Sequence, residues 1–552
     1  MEKSMLKINF NGTSVQEIPT GTEVRALAGM FNDPDKIFAF KINNKIYPLD
    51  KKLKYNASIE PVYQNSKDGA KIYRRSLCFL LAAATHKVYP EARLLVGHSL
   101  EHGFFYTLEN CKDKITDALK NINNEMQELV KKDIIISSKH ISYTEAVDLL
   151  TKLGLKQTLL QMDYTCPPRV KINILEDFSD LYFGPLVQST GCLTIYELLP
   201  YADGFLLRFP GRKNPDKLTP FVDQPKLFEV YHNYKEWGKR VHVTSVADLN
   251  KLVIERKIND FIDITETFQQ KCISMIATQI EKKKTARVVL IAGPSSSGKT
   301  TTSKKLSLEL QALGINPKVI SLDCYYVDHS RTPRDKDGNP DFECLEALDI
   351  DLLNQNLVDL FAGKEVIIPT YNFHNGTQTF DEKNKMTLKE GEILIMEGIH
   401  GLNDKLTPKI PAELKFKIYL SALTQLNVDD HNRISASDNR LIRRIVRDYQ
   451  FRGKSAAGTI AMWPSVRNGE EQHIFPFQNN ADAILNTALD YELSVLKVFA
   501  DPLLRCVKPT EPEYAEACEL LRFLDNFATI APTAVPPRSI IREFIGGSAF
   551  KY

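Results

Sequence analysis

Gly293, Gly298, Lys299 and Thr300 stand at the spacing G-x-x-x-x-G-K-[ST] within ARVVLIAGPSSSGKTTT, residues 286–302. Glycines at these points let backbone N–H groups curl around phosphate oxygens. The lysine ammonium can reach β- and γ-phosphates, and the threonine hydroxyl can face a magnesium ion. The stretch therefore points to nucleoside-triphosphate binding, with Gly293, Pro294, Ser295, Ser296, Ser297, Gly298, Lys299, Thr300 and Thr301 as the cradle. Such a cradle must sit between a buried strand and a helix. The five apolar residues from Val288 to Ala292 suit the strand. SKKLSLELQALG, with apolar Leu306, Leu308, Leu310 and Leu313 before Gly314, suits the helix.

More chemistry lies downstream. PKVISLDCYYVD predicts a second strand ending at Asp323, and EILIMEGIHGL a strand ending at Glu397. Between them IIPTYNFHN follows a third apolar run, residues 366–368. KFKIYLSA and ADAILNT supply further strands, and RLIRRIVRDYQFRGKS is an arginine-dense segment passing from helix to loop. Strands alternating with helices imply a parallel sheet covered on both faces. Ligands then lie beyond the strands' carboxyl ends, where Lys299, Asp323 and Glu397 all fall.

Composition bounds the rest. The chain has 552 residues, 43% hydrophobic and 25% charged, with a net charge of +2. That length accommodates two to four domains with real cores. The near-neutral charge gives no basic field of the kind that draws nucleic acid or membranes. There is no apolar run long enough to span a bilayer and no signal-peptide core in MEKSMLKINFNG. Nine cysteines without a C-x-x-C pair suggest reduced thiols in the cytoplasm.

Residues 1–64 predict a small β-rich unit. LKINFNG alternates apolar and polar up to Asn11-Gly12, VRALAGMF suits a short helix, and KIFAFKINNKIYPLD suits two strands joined at Asn43-Asn44. That order is a β-grasp, and it resembles the TGS domain, a binding or docking module. In residues 70–245, SLCFLLAAATHKVYPEARLLVGHSLEHGFFYTLE and DFSDLYFGPLV resemble the second additional, editing-type domain of threonyl-tRNA synthetases. That family carries two histidines on its first helix and a Cys and a His later. Phe79, Ala83, Tyr182 and Leu186 stand there instead. The resemblance thus implies an α+β scaffold without metal ligands. His98-Ser-Leu-Glu-His102 fits the inverted zinc-peptidase pattern, but Gly97 and Gly103 bracket it and the resemblance implies a turn between strands there, with loop or surface histidines. Residues 246–284 predict a helical connector, with Phe268, Cys272, Ile276 and Ile280 forming a stripe and EKKK a solvated end.

The last half, 286–552, is similar to uridine/cytidine kinases and the wider phosphoribulokinase group. The resemblance rests on GPSSSGKTT, SLDCYY, DFECLEALD, PTYNF, ILIME and RRIVRDYQFRGK taken in order. It implies that Asp323 is the base that takes the acceptor hydroxyl proton, and that Tyr326 lines the substrate. It further implies Glu343, beside Asp341, as ligand of sugar hydroxyls, and Tyr371 against the base. Gly376 replaces the family's next histidine, with His374 as substitute. Thr300, Asp323 and Glu397 would hold Mg²⁺. Arg444, Arg447 and Arg452 would form a mobile lid supplying charge to the transferring phosphoryl group, whereas Arg443 is expected to be an ordinary surface salt-bridge residue. Lys454 falls where the family has its next basic residue, and Met462 replaces a substrate-contacting glutamine.

The expected architecture is a multidomain α/β chain: a P-loop kinase with a parallel sheet, preceded by a β-grasp domain and an α+β editing-type domain. The expected activity is Mg²⁺- and ATP-dependent phosphorylation of a nucleoside 5′-hydroxyl, that of uridine or cytidine. Two alternatives stay open. One is a nucleotide switch in translation, although the nearest guanine-reading string, Asn384-Lys385-Met386-Thr387, lacks the required Asp. The other is an RNA-binding protein driven by the N-terminal half, and regulation of the kinase by RNA or a small ligand would join the two. No membrane partner is expected. The tail, with a helix in YAEACELLRFLDNF and apolar Ile540, Ile541, Phe544 and Ile545, is expected to dock on the body or on a second copy in a homo-oligomer.

Overall fold

The structure, a computed structural model, describes residues 4–12, 14–334, 338, 340–372 and 375–551. Its functional half is built on one all-parallel five-stranded sheet. The order is Asn316–Ser321, Glu392–Glu397, Val288–Ala292, Lys415–Ser421 and Ala483–Asn486. Every residue of Val288–Ala292 is buried, as expected for a central strand covered on both faces. The period-2 alternation of a strand then divides its side chains. Val288 and Leu290 join Leu394, Met396 and the Ile350–Phe361 helix residues Leu353, Leu357 and Leu360 on one face. Val289 and Ile291 join Ile395, Ile418 and the Lys299–Ala312 helix residues Leu306 and Leu310 on the other.

That second face also takes Ile273, Ile276 and Ile280 of the Ile258–Lys282 helix. The helix expected as a connector is therefore a layer of the sheet domain. Its buried stripe runs through Phe261, Thr265, Gln269, Ile273, Ile276 and Ile280, with Phe268 and Cys272 at its margin.

The N-terminal sheet has the order Ser14–Pro19, Met5–Phe10, Ala57–Tyr63, Ile37–Ile42 and Lys45–Tyr47. Asn43 and Asn44 both have positive φ, 48° and 58°, as a two-residue type I′ hairpin demands. Asn11 and Gly12, between the paired strands Met5–Phe10 and Ser14–Pro19, also have positive φ, 51° and 74°. Beyond it, the antiparallel strands Glu197–Tyr201, Gly204–Arg208, Gly103–Glu109 and Arg93–Leu100 cover the helices Lys67–Val88 and Ile115–Lys132. Phe79, Ala83, Tyr182 and Leu186 all lie in that core, and the Phe79 and Tyr182 rings meet edge to face at 5.3 Å. Apolar packing fills the positions where the resembling family carries metal ligands.

His98 corrects the sequence expectation. It lies within the Arg93–Leu100 strand, 6% exposed, with its ring stacked on Tyr231 at 5.2 Å. Burial pushes its pKa down to about 3, so it is a neutral core residue. Only Glu101 and His102 occupy the turn. All nine cysteines are free thiols. Among the described residues no helix is long and apolar enough to cross a membrane.

Candidate active site at the carboxyl ends of the strands

The loop after Val288–Ala292 turns tightly. Ser296 and Gly298 both hold the left-handed conformation, with φ of 60° and 81°. Glycine takes that shape freely, whereas at Ser296 it is a local strain of the kind loops keep at functional sites. At Gly293 an added Cβ would come 2.5 Å from the Leu420 carbonyl, so no side chain fits. Lys299 curls over its own loop and donates to the Gly293 and Pro294 carbonyls at 3.0 and 3.3 Å. The Ser296 and Ser297 hydroxyls are buried without a protein partner. Thr300 lies beside Glu397, its hydroxyl 3.3 Å from Glu397 Oε1.

Glu397 ends its strand as expected. Asp323 lies two residues past Asn316–Ser321, in the 3-10 turn Leu322–Tyr325, rather than on the strand. The Ser321 hydroxyl accepts the Asp323 N–H at 3.4 Å and fixes that turn. Asp323 opens onto the cleft, yet the cleft walls desolvate it and raise its pKa, against the pull of Lys299, Arg452 and Arg447. Desolvation, then the charge of Asp323, pushes Glu397 up to about 7, with Lys299 opposing. Two carboxyls thus share one ammonium.

The arginine segment is the helix Ala436–Arg452, stopped by Gly453 at φ 62°. One face is fastened to the phosphate loop. Arg440 donates to the Ser295 carbonyl at 3.1 Å and pairs with Glu470. Arg444 donates to Ser295 Oγ at 2.7 Å. Arg443 is not a surface residue: it has no exposed surface, donates to the Ser296 and Thr487 carbonyls, and pairs with Glu492. A guanidinium fork can satisfy several carbonyls and a carboxylate at once, which a lone surface ion pair would not require. Arg444, Arg447 and Arg452 gather around Asp448, with Arg452 half exposed at 3.8 Å. Lys454 donates to Met462 Sδ at 3.2 Å.

The residues expected to line the substrate include two packed tyrosines. Tyr326 is buried, donates to the Phe342 carbonyl at 3.0 Å, and packs on Tyr371 at 5.5 Å. Asp341 accepts the Glu343 N–H at 3.0 Å, a local turn, and the Glu343 side chain lies against Gly469. Desolvation, then Glu470, raises Glu343 to about 7, with Arg444 and Lys299 opposing. A Cβ at Gly376 would strike His329 at 2.6 Å, and His329 stacks on Phe342 at 5.7 Å. His374 lies outside the described residues.

Sequence reasoning missed Arg440, Glu470, Glu492, Asp448 and His329. Arg440 was within reach of it, four residues before Arg444 and so on the same helical face. Asp448 was equally within reach, one turn after Arg444 on the same helix, whereas Glu470, Glu492 and His329 meet their partners only through long-range folding.

Thr300, Glu397 and Asp323 offer the hard oxygen donors magnesium prefers. Among the described residues no three acidic, histidine or cysteine side chains converge as a preformed metal cage.

Residues 288–494 match the phosphoribulokinase/uridine kinase family. The N-terminal half matches threonine–tRNA ligases. The ligase of Desulforamulus reducens is 29% identical over 46% of this chain and 41% of its own length. That of Aquifex aeolicus is 30% identical over 47% of this chain and 41% of its own. The chain therefore spans about two-fifths of these curated relatives. Among solved structures, one described as a possible uridine kinase from Bacillus stearothermophilus is 21% identical over 39% of this chain and 98% of its own, with a TM-score of 0.27.

Proposed function

We propose that the protein transfers the γ-phosphoryl group of ATP to the 5′-hydroxyl of a nucleoside, with uridine or cytidine as acceptor. The observation that carries this reading is the convergence of Lys299, Asp323 and Glu397: each of the two acids feels the other carboxyl or the lysine ammonium across one cleft. The family match over residues 288–494 supports a phosphotransferase of this class.

In this reading Gly293–Thr301 cradle the phosphates, and Lys299 leaves its two loop carbonyls for the β/γ oxygens. Glu343 accepts sugar hydroxyls while Tyr326 and Tyr371 wall the acceptor. Asp323 takes the proton of the 5′-hydroxyl as its oxygen bonds to the γ-phosphorus, and the bond from that phosphorus to the β-bridging oxygen breaks to release ADP. Arg444, Arg447 and Arg452 stabilise charge on the transferring group. Thr300, Glu397 and Asp323 would hold Mg²⁺, which when bound neutralises phosphate charge. The chemistry belongs in the cytoplasm, where ATP and nucleosides meet.

Purified protein with Mg²⁺-ATP and a panel of nucleosides should yield ADP and one pyrimidine monophosphate. Asp323→Asn should lower kcat by about a thousandfold, within the usual range for a general base, with ATP binding intact. Full turnover in that variant, or ADP release independent of any nucleoside, would overturn the reading.

A further inference from the structure

The C-terminal segment reaches the phosphate loop. Ser539, Ile540, Ile541 and Phe544 are fully buried, and the Phe544 ring lies 5.0 Å under the Arg443 guanidinium. Ile540 Cγ2 would meet a Cβ at Gly298 at 2.6 Å. The short helix Arg542–Ile545 then carries Glu543 to the start of the Lys299–Ala312 helix. One carboxylate oxygen of Glu543 accepts both the Thr301 N–H at 3.0 Å and the Thr301 hydroxyl at 2.7 Å. Glu543 is also close enough to help raise the pKa of Glu397.

Thr301 is the third residue of that helix, so its N–H is among the donors at the helix start. In a phosphate loop these donors serve the α- and β-phosphates, at the positive end of the helix. A carboxylate there is an anion in an anion's place. It cannot share the two donors with a phosphate, and like charges so close repel.

We propose that Glu543 sets the affinity for the nucleoside-triphosphate donor by competing with its α-phosphate for Thr301. This rests on the donor being held in the Gly293–Thr301 cradle as described above. A nucleoside triphosphate binds only as Glu543 withdraws, while inorganic pyrophosphate, which spans two phosphate positions and needs no third, binds with Glu543 in place. The anchoring residues Ile540, Ile541 and Phe544 hold the carboxylate at high local concentration, which makes it an effective competitor without further contacts.

Calorimetric titration of the full chain, without acceptor, separates this from the transfer reaction. Wild type, Glu543→Gln and Glu543→Ala are titrated with a non-hydrolysable ATP analogue and with pyrophosphate, both with Mg²⁺. Gln keeps an acceptor for Thr301 and removes the charge. Both variants should bind the analogue about tenfold tighter, with pyrophosphate unchanged within about twofold. Unchanged or weaker analogue binding would make Glu543 a helix cap only and overturn the proposal. In wild type, hydrogen exchange of residues 539–546 should quicken on saturation with the analogue but not with pyrophosphate. Identical exchange in both would also overturn it. Failure of the nucleoside panel to give monophosphates would refute the proposed function and leave these binding results readable.

Discussion

At the scale of single residues, the most telling group is Glu397. Its pKa of about 7 means that the cleft holds a proton which an unfolded chain, with a glutamate near 4.5, has already lost. Between these values the folded state binds more protons, so this site's contribution to stability falls as the pH rises through that window. In the proposed reaction the same proton must leave before Glu397 can hold magnesium. Magnesium affinity, measured by titration in the presence of ADP, should therefore weaken about tenfold for each pH unit below 7, following simple proton competition. Glu397→Gln should bind the ion weakly at every pH, lose this dependence, and melt at a higher temperature than wild type at pH 8. A wild-type profile flat from pH 5.5 to 7.5 would show that Glu397 is not the titrating ligand.

At the scale of elements, the Ala436–Arg452 helix is a structural clamp on the loop, in addition to the catalytic charge proposed for its arginines. Arg443 is buried between Glu492 and the Ser296 and Thr487 carbonyls. Arg443→Met leaves the Glu492 carboxylate buried and unpaired, at a cost of about 3–5 kcal/mol, which for a domain of this size lowers Tm by roughly 10 °C. The double variant Arg443→Met/Glu492→Met should recover most of that loss. Its nucleotide affinity should stay about tenfold down, because the Ser296 carbonyl still lacks its donor. If affinity recovered with Tm, the clamp would matter for stability alone. This helix also marks where sequence reading stops. Its existence, its arginines and its glycine stop were legible, as were the strand Val288–Ala292 and the Asn43-Asn44 turn, because each is set by local pattern. Which arginine faces inward was not, since that depends on Glu470 and Glu492, thirty and forty-nine residues further on. Glu543 was invisible for the same reason: nothing near it in sequence says that its carboxylate meets Thr301.

At the scale of the whole molecule, the N-terminal half meets the kinase-like half in several places, among them the Lys71 pairs with Glu516 and Glu519 and one buried polar seam. The loop before the arginine helix lays Asn427 Nδ2 on the Val96 carbonyl at 2.6 Å and Asn432 Nδ2 on the Leu181 carbonyl at 2.8 Å. Arg93 pairs with Asp430 at 2.7 Å, and His431 Nδ1 meets Asp180 Oδ2 at 2.7 Å. Burial alone would lower the His431 pKa, but Asp180 and then Asp430 and Asp429 outweigh it and raise it. A histidine so raised stabilises fully below its unfolded value of 6.5 and loses that contribution as the pH climbs through its folded one. Asp429, raised to about 7 by burial and by Asp180, slopes the same way from its unfolded value of 3.8 upward. His86, the other histidine near the seam, has its pKa lowered, first by burial and then by His431. Raising the pH from 6 to 8 should therefore lower the melting temperature of the full chain. Asp180→Asn removes the partner of His431 and the repulsion on Asp429 together, so its melting temperature should change less over that range. Because the seam runs straight into Ala436–Arg452, nucleotide affinity measured without Mg²⁺ should follow the same pH trend in wild type and lose part of it in the variant. Equal slopes of Tm with pH in the two proteins would remove His431 and Asp180 from the coupling between the halves.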